Sequence, residues 1–116
     1  MSTYMDYLAR RQTALRQEER ALAAAQRKDE ADLTKIRINV YGICQTVHTA
    51  LEQVLEPEAF PQKYLEKLDG LPENWRAALE KAREHGDVER AVIETIKLET
   101  LAEIRAVYLT GGERHD

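Results

Sequence analysis

The apolar residues between positions 33 and 55 repeat with the period of an α-helix. They are Leu33, Ile36, Val40, Ile43, Cys44, Val47, Leu51, Val54 and Leu55. At 100° per residue, all of them fall within about 60° of Val40 on a helical wheel. A stripe that holds over more than twenty residues predicts one long helix with its apolar side against a core.

A shorter pattern in the same segment favours a different structure. In KIRINV, residues 35–40, three apolar residues alternate with three polar ones, as in a half-buried strand. The alternation covers about five residues, whereas the helical period spans the whole segment, so length favours the helix. Ile38 then lies on the side of the helix opposite the stripe.

Four further helical segments are predicted around this one. The first extends from about Ser2 to Arg27, with leucines every seven residues at 8, 15 and 22. KDEAD, residues 28–32, interrupts the pattern, and Asp29 or Asp32 is suited to cap the second helix.

Proline and glycine mark the remaining boundaries. EPEAFP, residues 56–61, ends the second helix. A short third helix is predicted from about Pro61 to Asp69 with Gly70 as its cap, and a fourth from Pro72 to about His85. Gly86 and Asp87 then separate it from a fifth helix that ends near Leu109.

The fifth helix is apolar on two opposite sides. One side has Ile93, Ile96, Ile104 and Val107, and the other has Ala91, Leu98, Ala102 and Leu109. Such a helix is usually packed between neighbours. We expect the second helix on one side and the third and fourth on the other, unless one side is a dimer face.

Together these patterns predict an all-α helical bundle. Helices one and two form a long antiparallel hairpin, the long C-terminal helix packs along them, and the two short helices between close one end. Residues 1–110 form a single domain, and residues 111–116 form a flexible C-terminal tail. The predicted core is Leu33, Ile36, Val40, Ile43, Cys44, Val47, Leu51, Trp75, Leu79, Ile93, Ile96, Ile104 and Val107.

Composition excludes several classes of protein. No stretch approaches the ~20 apolar residues that a membrane span needs. The start, MSTYMDYLARR, has charges where a signal peptide needs an apolar run. The single cysteine, Cys44, excludes a disulfide within the chain. We therefore expect a cytoplasmic protein without a membrane partner.

Cys44 and His48 are the residues that most resemble a reactive site. Four residues apart, they share one helix face, and zinc accepts sulfur and nitrogen ligands. A zinc site needs three or four ligands, however, and the wheel places Cys44 inside the core, with His48 on its rim beside Tyr41. We predict no catalytic residue, metal ligand or cofactor, and keep metal binding or an enzyme using this pair as an alternative.

Charged residues offer a second alternative. The net charge is −4, but residues 1–28 carry six basic and three acidic residues, hence +3. Arg16, Arg20 and Arg27 share one side of the first helix and could follow phosphates, so nucleic-acid binding is the other alternative. Glu94, Glu99 and Glu103 of the fifth helix are predicted to form a solvated flank.

Two stretches resemble a known group of sequences. DEADLTKIRINVYGICQTV, residues 29–47, and LEKAREHGDVERAVIETIKLETLAEIR, residues 79–105, are similar to small bacterial all-helical proteins that have no assigned activity. The resemblance implies a compact cytosolic bundle and no substrate.

The leading hypothesis is therefore a non-enzymatic protein that acts through protein–protein contacts, self-association first. Apolar residues beyond those needed for the core tend to mark contact sites. The candidate interaction residues are Ile38, Tyr41, Leu98, Ala102 and Leu109. The partner is a protein or a second copy of the chain, as in a homodimer.

Overall fold

A computed structural model describes residues 3–111, and these residues form five α-helices without a strand. The helices are α1 (Thr3–Ala24), α2 (Lys28–Val54), α3 (Phe60–Gly70), α4 (Pro72–Glu84) and α5 (Val88–Leu109). The all-α prediction is confirmed, and each predicted helix is present. Ser2, the predicted start of the first helix, and residues 112–116 of the predicted tail lie outside the described residues.

The connection between α1 and α2 differs from the prediction. The break lies at residues 25–27, before KDEAD, and Gln26 takes a left-handed conformation with φ +62°. The backbone N–H of Arg27 donates to the oxygen of Leu22 at 2.9 Å, which closes the end of α1. Asp29 and Asp32 are both inside α2, so neither is its cap, although Asp29 in the first turn still favours the helix dipole.

The last two junctions, α3–α4 and α4–α5, use proline and glycine. At the first, Leu71 keeps a helical conformation (φ −55°) and leads directly to Pro72 at the start of α4. The prediction that Gly70 caps α3 is wrong, because Gly70 is its last helical residue and has no positive φ. At the second, Gly86 has φ +69°, and Asp87 Oδ1 accepts from the N–H of Arg90 at 3.0 Å, as predicted.

The helices form two hairpins joined by α3. The first is the predicted antiparallel pair α1–α2, and α5 packs between α2 and α4. The ring of Tyr4, near the start of α1, contacts those of His48 and Tyr108, near the ends of α2 and α5. Hence α2 and α5 are parallel. The short helix α4 pairs closely with α5, as expected for one of the two apolar sides of the fifth helix.

The core differs in part from the predicted set. Five predicted residues are buried: Val40, Cys44, Ile96, Ile104 and Val107. Seven are half-buried: Leu33, Ile36, Val47, Leu51, Trp75, Leu79 and Ile93. The prediction that Ile43 belongs to the core is wrong, because 37% of this residue is exposed. Buried residues that the prediction missed include Tyr4, Tyr7, Leu8, Leu15, Tyr41, Tyr64, Leu68 and Leu101.

Gly42 lies where α1 and α2 come close together. A Cβ at this position would be 3.3 Å from Gln12 Nε2, and the same amide donates to the backbone oxygen of Ile38 at 3.1 Å. The neighbour of Gly42 on α1 is therefore Gln12. The glycine leaves room for a buried amide that ties the two helices together.

The left-handed conformation of Gln26 generates a prediction. Residues other than glycine pay roughly 1–2 kcal/mol for this conformation. We expect Gln26→Gly to raise the free energy of unfolding by about 0.5–1 kcal/mol, measured by urea titration. Gln17→Gly, at an exposed position inside α1, is the control and should lower it by about 1 kcal/mol. Destabilisation by both variants would contradict the argument.

Candidate functional site

Three helices are joined by a short chain of buried hydroxyl groups. The Tyr64 hydroxyl lies 3.1 Å from the backbone oxygen of Cys44 and 2.7 Å from the Tyr4 hydroxyl. A carbonyl oxygen only accepts, so Tyr64 donates to Cys44, and Tyr4 must donate to Tyr64. Burial raises the pKa of both tyrosines well above the ordinary value, so both stay protonated and able to donate.

Aromatic rings surround this chain of hydroxyls. We call Tyr4, His48, Phe60, Tyr64 and Tyr108 the aromatic cluster. Ring centroids are 4.6 Å apart for His48–Phe60, 4.9 Å for Tyr64–Tyr108 and 5.1 Å for His48–Tyr64. These separations and the tilted or edge-on orientations are typical of favourable aromatic packing. The cluster joins α1, α2, α3 and α5 at one end of the bundle.

Cys44 lies beneath this cluster and is fully buried, as predicted. Burial raises the pKa of its thiol to about 12, so the sulfur is uncharged near neutral pH. Metal binding and nucleophilic attack both need the thiolate. Among residues 3–111, no three His, Cys, Asp or Glu side chains come together as a metal site would require. The geometry gives no support to the metal or enzyme alternative.

The prediction that His48 lies on the rim of the core beside Tyr41 is wrong, because only 5% of His48 is exposed. The rings of Tyr4, Phe60 and Tyr64 pack around it. Its Nδ1 atom is buried and lies 3.4 Å from a Glu52 oxygen, without forming a hydrogen bond. Burial lowers the pKa of His48, and the nearby Glu52 carboxylate opposes that shift only in part.

The prediction of a solvated glutamate flank on α5 is wrong for Glu94. It is only 2% exposed, and its Oε2 atom accepts from Arg90 at 3.2 Å and from Lys97 at 3.3 Å. The Lys97 ammonium also lies 5.8 Å from the centre of the Trp75 ring. Glu94 Oε1 is buried without a hydrogen-bond partner. Glu99 and Glu103, in contrast, are exposed as predicted.

The three arginines proposed for nucleic acid are not equivalent. Arg27 forms an ion pair with Glu30, which neutralises it. Arg16 and Arg20 are exposed and have no ion pair within the described part of the chain. Two free cations make a weak phosphate surface, because affinity for nucleic acid grows with the number of phosphates neutralised.

The five predicted interaction residues lie in separate places. The prediction that Tyr41 is a contact residue at the surface is wrong. Tyr41 is 1% exposed, and its hydroxyl lies 3.2 Å from that of Tyr7. Leu98 and Ala102 line a groove of about 190 Å³ between α3, α4 and α5. Leu109 is 54% exposed at the end of α5. Ile38 is half-buried at the edge of a larger groove between α1 and α2.

Beside this larger groove lies a surface that was not predicted from the sequence. We call the exposed and half-buried side of α2 between Ile36 and Val54 the outer face. Its members are Ile36, Asn39, Gly42, Ile43, Thr46, Val47, Ala50, Gln53 and Val54. The groove beside it measures about 490 Å³ and is bordered on α1 by Gln12 and Arg16. Val54 is 76% exposed, and Ile36 and Ile43 are not part of the core cluster.

The outer face is unusual in its charge. Residues 38–51 include no Asp, Glu, Lys or Arg, although such residues make up 33% of the chain. The one ionisable group of this run that could carry a charge near pH 7, His48, is buried on the other side of the helix. An exposed helix face of about four turns is therefore both uncharged and partly apolar.

A second apolar groove, of about 380 Å³, lies between α4 and α5. It is lined by Leu79, Ala82, Arg83, Gly86, Asp87, Val88, Ala91, Val92, Thr95 and Ile96. Val88 is 74% exposed and Val92 42%. Arg83 and Asp87 are exposed charges on its border, so any apolar partner would have to displace water from them.

Comparison with known proteins finds no matching family model, curated protein or solved structure. The resemblance to small bacterial helical proteins therefore stays a prediction. None of the helices within residues 3–111 is long and apolar enough to cross a membrane.

A weak signal for the aromatic cluster was present in the sequence. Tyr4, Leu8 and Leu15 share one side of α1, and a wheel that counted tyrosine as apolar would have widened the leucine line. The hydroxyl partners could not be found in this way, because Tyr4 and Tyr64 are sixty residues apart in sequence.

The hydroxyl chain generates a stability prediction. Tyr64→Phe removes the donor to Cys44 O and leaves the buried Tyr4 hydroxyl without its acceptor. We expect the free energy of unfolding to fall by about 1–3 kcal/mol in urea titrations. Tyr108→Phe is the control, because Tyr108 belongs to the same cluster but its hydroxyl has no hydrogen bond among residues 3–111. Equal losses in the two variants would show that the hydroxyl chain is unimportant.

His48 generates a pH prediction. Its pKa is lowered in the folded protein, so the unfolded chain, with the ordinary value of 6.5, binds more protons as the solution becomes acidic. The contribution of His48 to stability is therefore present above pH 6.5 and is lost as the pH falls below it. We expect the free energy of unfolding to drop less between pH 7.5 and 5 in His48→Leu than in the wild type. His85→Gln, at an exposed site, is the control and should keep the wild-type drop; an unchanged drop in His48→Leu would count against the argument.

Proposed function

We propose that this chain is a non-enzymatic, cytoplasmic helical protein that acts by contacting another protein chain through the outer face of α2. The observation that carries the proposal is the combination of partial exposure and missing charge on that face. Ile43 is 37% exposed in the middle of a run of residues without charged groups.

The composition of the outer face resembles that of the centre of a protein interface. Interface centres are depleted in charged residues, whereas the rest of a protein surface is rich in them. Ile43, Val47 and Val54 supply apolar area, and Asn39 and Thr46 supply hydrogen-bonding groups that tolerate partial burial. Covering the outer face would remove apolar surface from water without burying a charged side chain of α2, while Arg16, on the α1 border of the groove, would have to stay in contact with water.

The outer face also has a shape that fits a helix. Packing of side-chain ridges into the grooves of a neighbour is the usual way in which helices associate. The groove between α1 and α2 is open along Ile38, Gly42 and Ile43, and Gly42 provides a low point in it. A helix from another chain would be able to place its side chains there.

The other functions considered from the sequence have weaker support. A metal site or an enzyme that uses Cys44 and His48 would require an accessible thiolate at Cys44, which is buried and protonated near neutral pH. Nucleic-acid binding would rely on Arg16 and Arg20, whereas the adjoining outer face offers phosphates no positive charge. Protein contact uses what the outer face does offer.

The proposal is tested by affinity capture with two matched variants. Ile43→Asp places a charge at the centre of the outer face, and Val88→Asp places one at an exposed valine of the α4–α5 groove. Tagged wild type and both variants would be used to capture proteins, including untagged copies of this chain, from cells that express it. We expect Ile43→Asp to lose at least 90% of the specific capture and Val88→Asp to keep it.

Circular dichroism melts of the same variants ensure that the loss does not come from unfolding. Capture that persists in Ile43→Asp, or that is lost only in Val88→Asp, would show that the outer face of α2 is not the contact surface.

A further inference from the structure

We infer that the partner on the outer face is a second copy of this chain, with the two α2 helices antiparallel about a two-fold axis near Ile43. The inference rests on the proposed function and adds the identity of the partner. It is carried by the charge distribution of the face and by the area that the face offers.

Charge favours a second copy because a two-fold contact places residues near the axis against themselves. A charged residue there would meet its own like charge. The run from residue 38 to residue 51 is free of charge, so the outer face is compatible with itself. A partner with a charged face would find no opposite charge in this run to pair with.

The direction of pairing follows from the ends of the same face. In a parallel pair, Asp32 and Lys35 of one copy would lie beside Asp32 and Lys35 of the other. In an antiparallel pair, Ile36 of one copy packs against Ala50 of the other. Asp32 and Lys35 of the first copy then lie beyond that Ala50, near the uncharged Gln53 and Val54 of the second copy. The helix dipoles also favour the antiparallel arrangement.

The available area fits a dimer that forms reversibly at micromolar concentrations. The outer face from Ile36 to Val54 covers 19 residues of α2, which is ~28 Å at 1.5 Å per residue. With the adjoining groove it is roughly 20 Å wide, which gives about 550 Å² per copy, below the ~800 Å² of a standard interface and in the range of weak, reversible ones. Arg16 borders the groove on α1.

Association is measured by sedimentation equilibrium on the purified full chain. We expect the mass to rise from 13.3 kDa towards twice that value between about one and a few hundred micromolar. Raising the salt concentration from 0.05 to 0.5 M should leave the dissociation constant within about threefold, because no charge pair holds the dimer together. A contact that depends on Arg16 and Arg20 would instead weaken strongly.

Substitutions at positions 43, 46 and 88 locate the contact. Thr46→Lys changes an exposed residue that is not part of the core, and it brings like charges together across the axis. We expect it to raise the dissociation constant at least tenfold, and Val88→Lys, at an exposed site on α5, to leave it unchanged. In a Cys44→Ala background, Ile43→Cys should form a disulfide between copies under mild oxidation, whereas Val88→Cys should not.

Three results would overturn the inference: a monomer at all concentrations, a dimer that Thr46→Lys leaves intact, or cross-linking through position 88 in place of 43. A monomer whose capture of a different protein still depends on Ile43 would reject the second copy and leave the proposed function standing. A dimer that survives both Thr46→Lys and Ile43→Asp, with no other Ile43-dependent capture, would reject both.

Discussion

The Tyr64 hydroxyl ties the short helix α3 to both helices of the first hairpin. It donates to the backbone of α2 at Cys44 and accepts from Tyr4 on α1, while its ring packs against Tyr108 on α5. A buried hydroxyl is costly unless it is hydrogen-bonded, so each of these partners must be in place. The position of the short helix α3, and with it the closed end of the bundle, depends on this group together with the buried Leu68 and the Phe60 ring against His48.

The helix α2 has different roles on its two sides. One side holds Val40, Cys44 and His48 inside the bundle, where rings and aliphatic groups exclude water. The other side exposes Ile43 and Thr46. A single uncharged run serves both, because the absence of charge suits a core on one side and a contact surface on the other. The buried, neutral His48 fits this arrangement, since a charged imidazole would be unfavourable in the core.

The sequence was sufficient for the architecture and much less so for the surface. The period of the apolar residues in α2, the Gly86–Asp87 turn and the two apolar sides of α5 are local signals, and each led to a correct element. The helical wheel predicts Ile43 in the core because it falls within the apolar stripe. It lies at the edge of that stripe, however, and a wheel does not show where the neighbouring helices end. The sequence predicts Tyr41 as a contact residue and His48 on the rim of the stripe, whereas both are buried, because the aromatic rings that cover them come from distant parts of the chain. Glu94 is buried although its sequence context is that of a solvated helix: the spacing shows that Arg90 and Lys97 can pair with its carboxylate, but not that the site is covered.

The distances along the chain between contacting residues bear on how the protein folds. The pairs α1–α2 and α4–α5 are hairpins of neighbouring helices, whose contacts close short loops at low entropic cost. The bond from Tyr4 to Tyr64, and the contact from Thr3 to Gly111, instead join distant parts of the chain. Local hairpins form quickly, and long-range contacts follow once the segments between them are ordered. This implies that the two hairpins form first and separately. The aromatic cluster then assembles late and joins them into one cooperative unit.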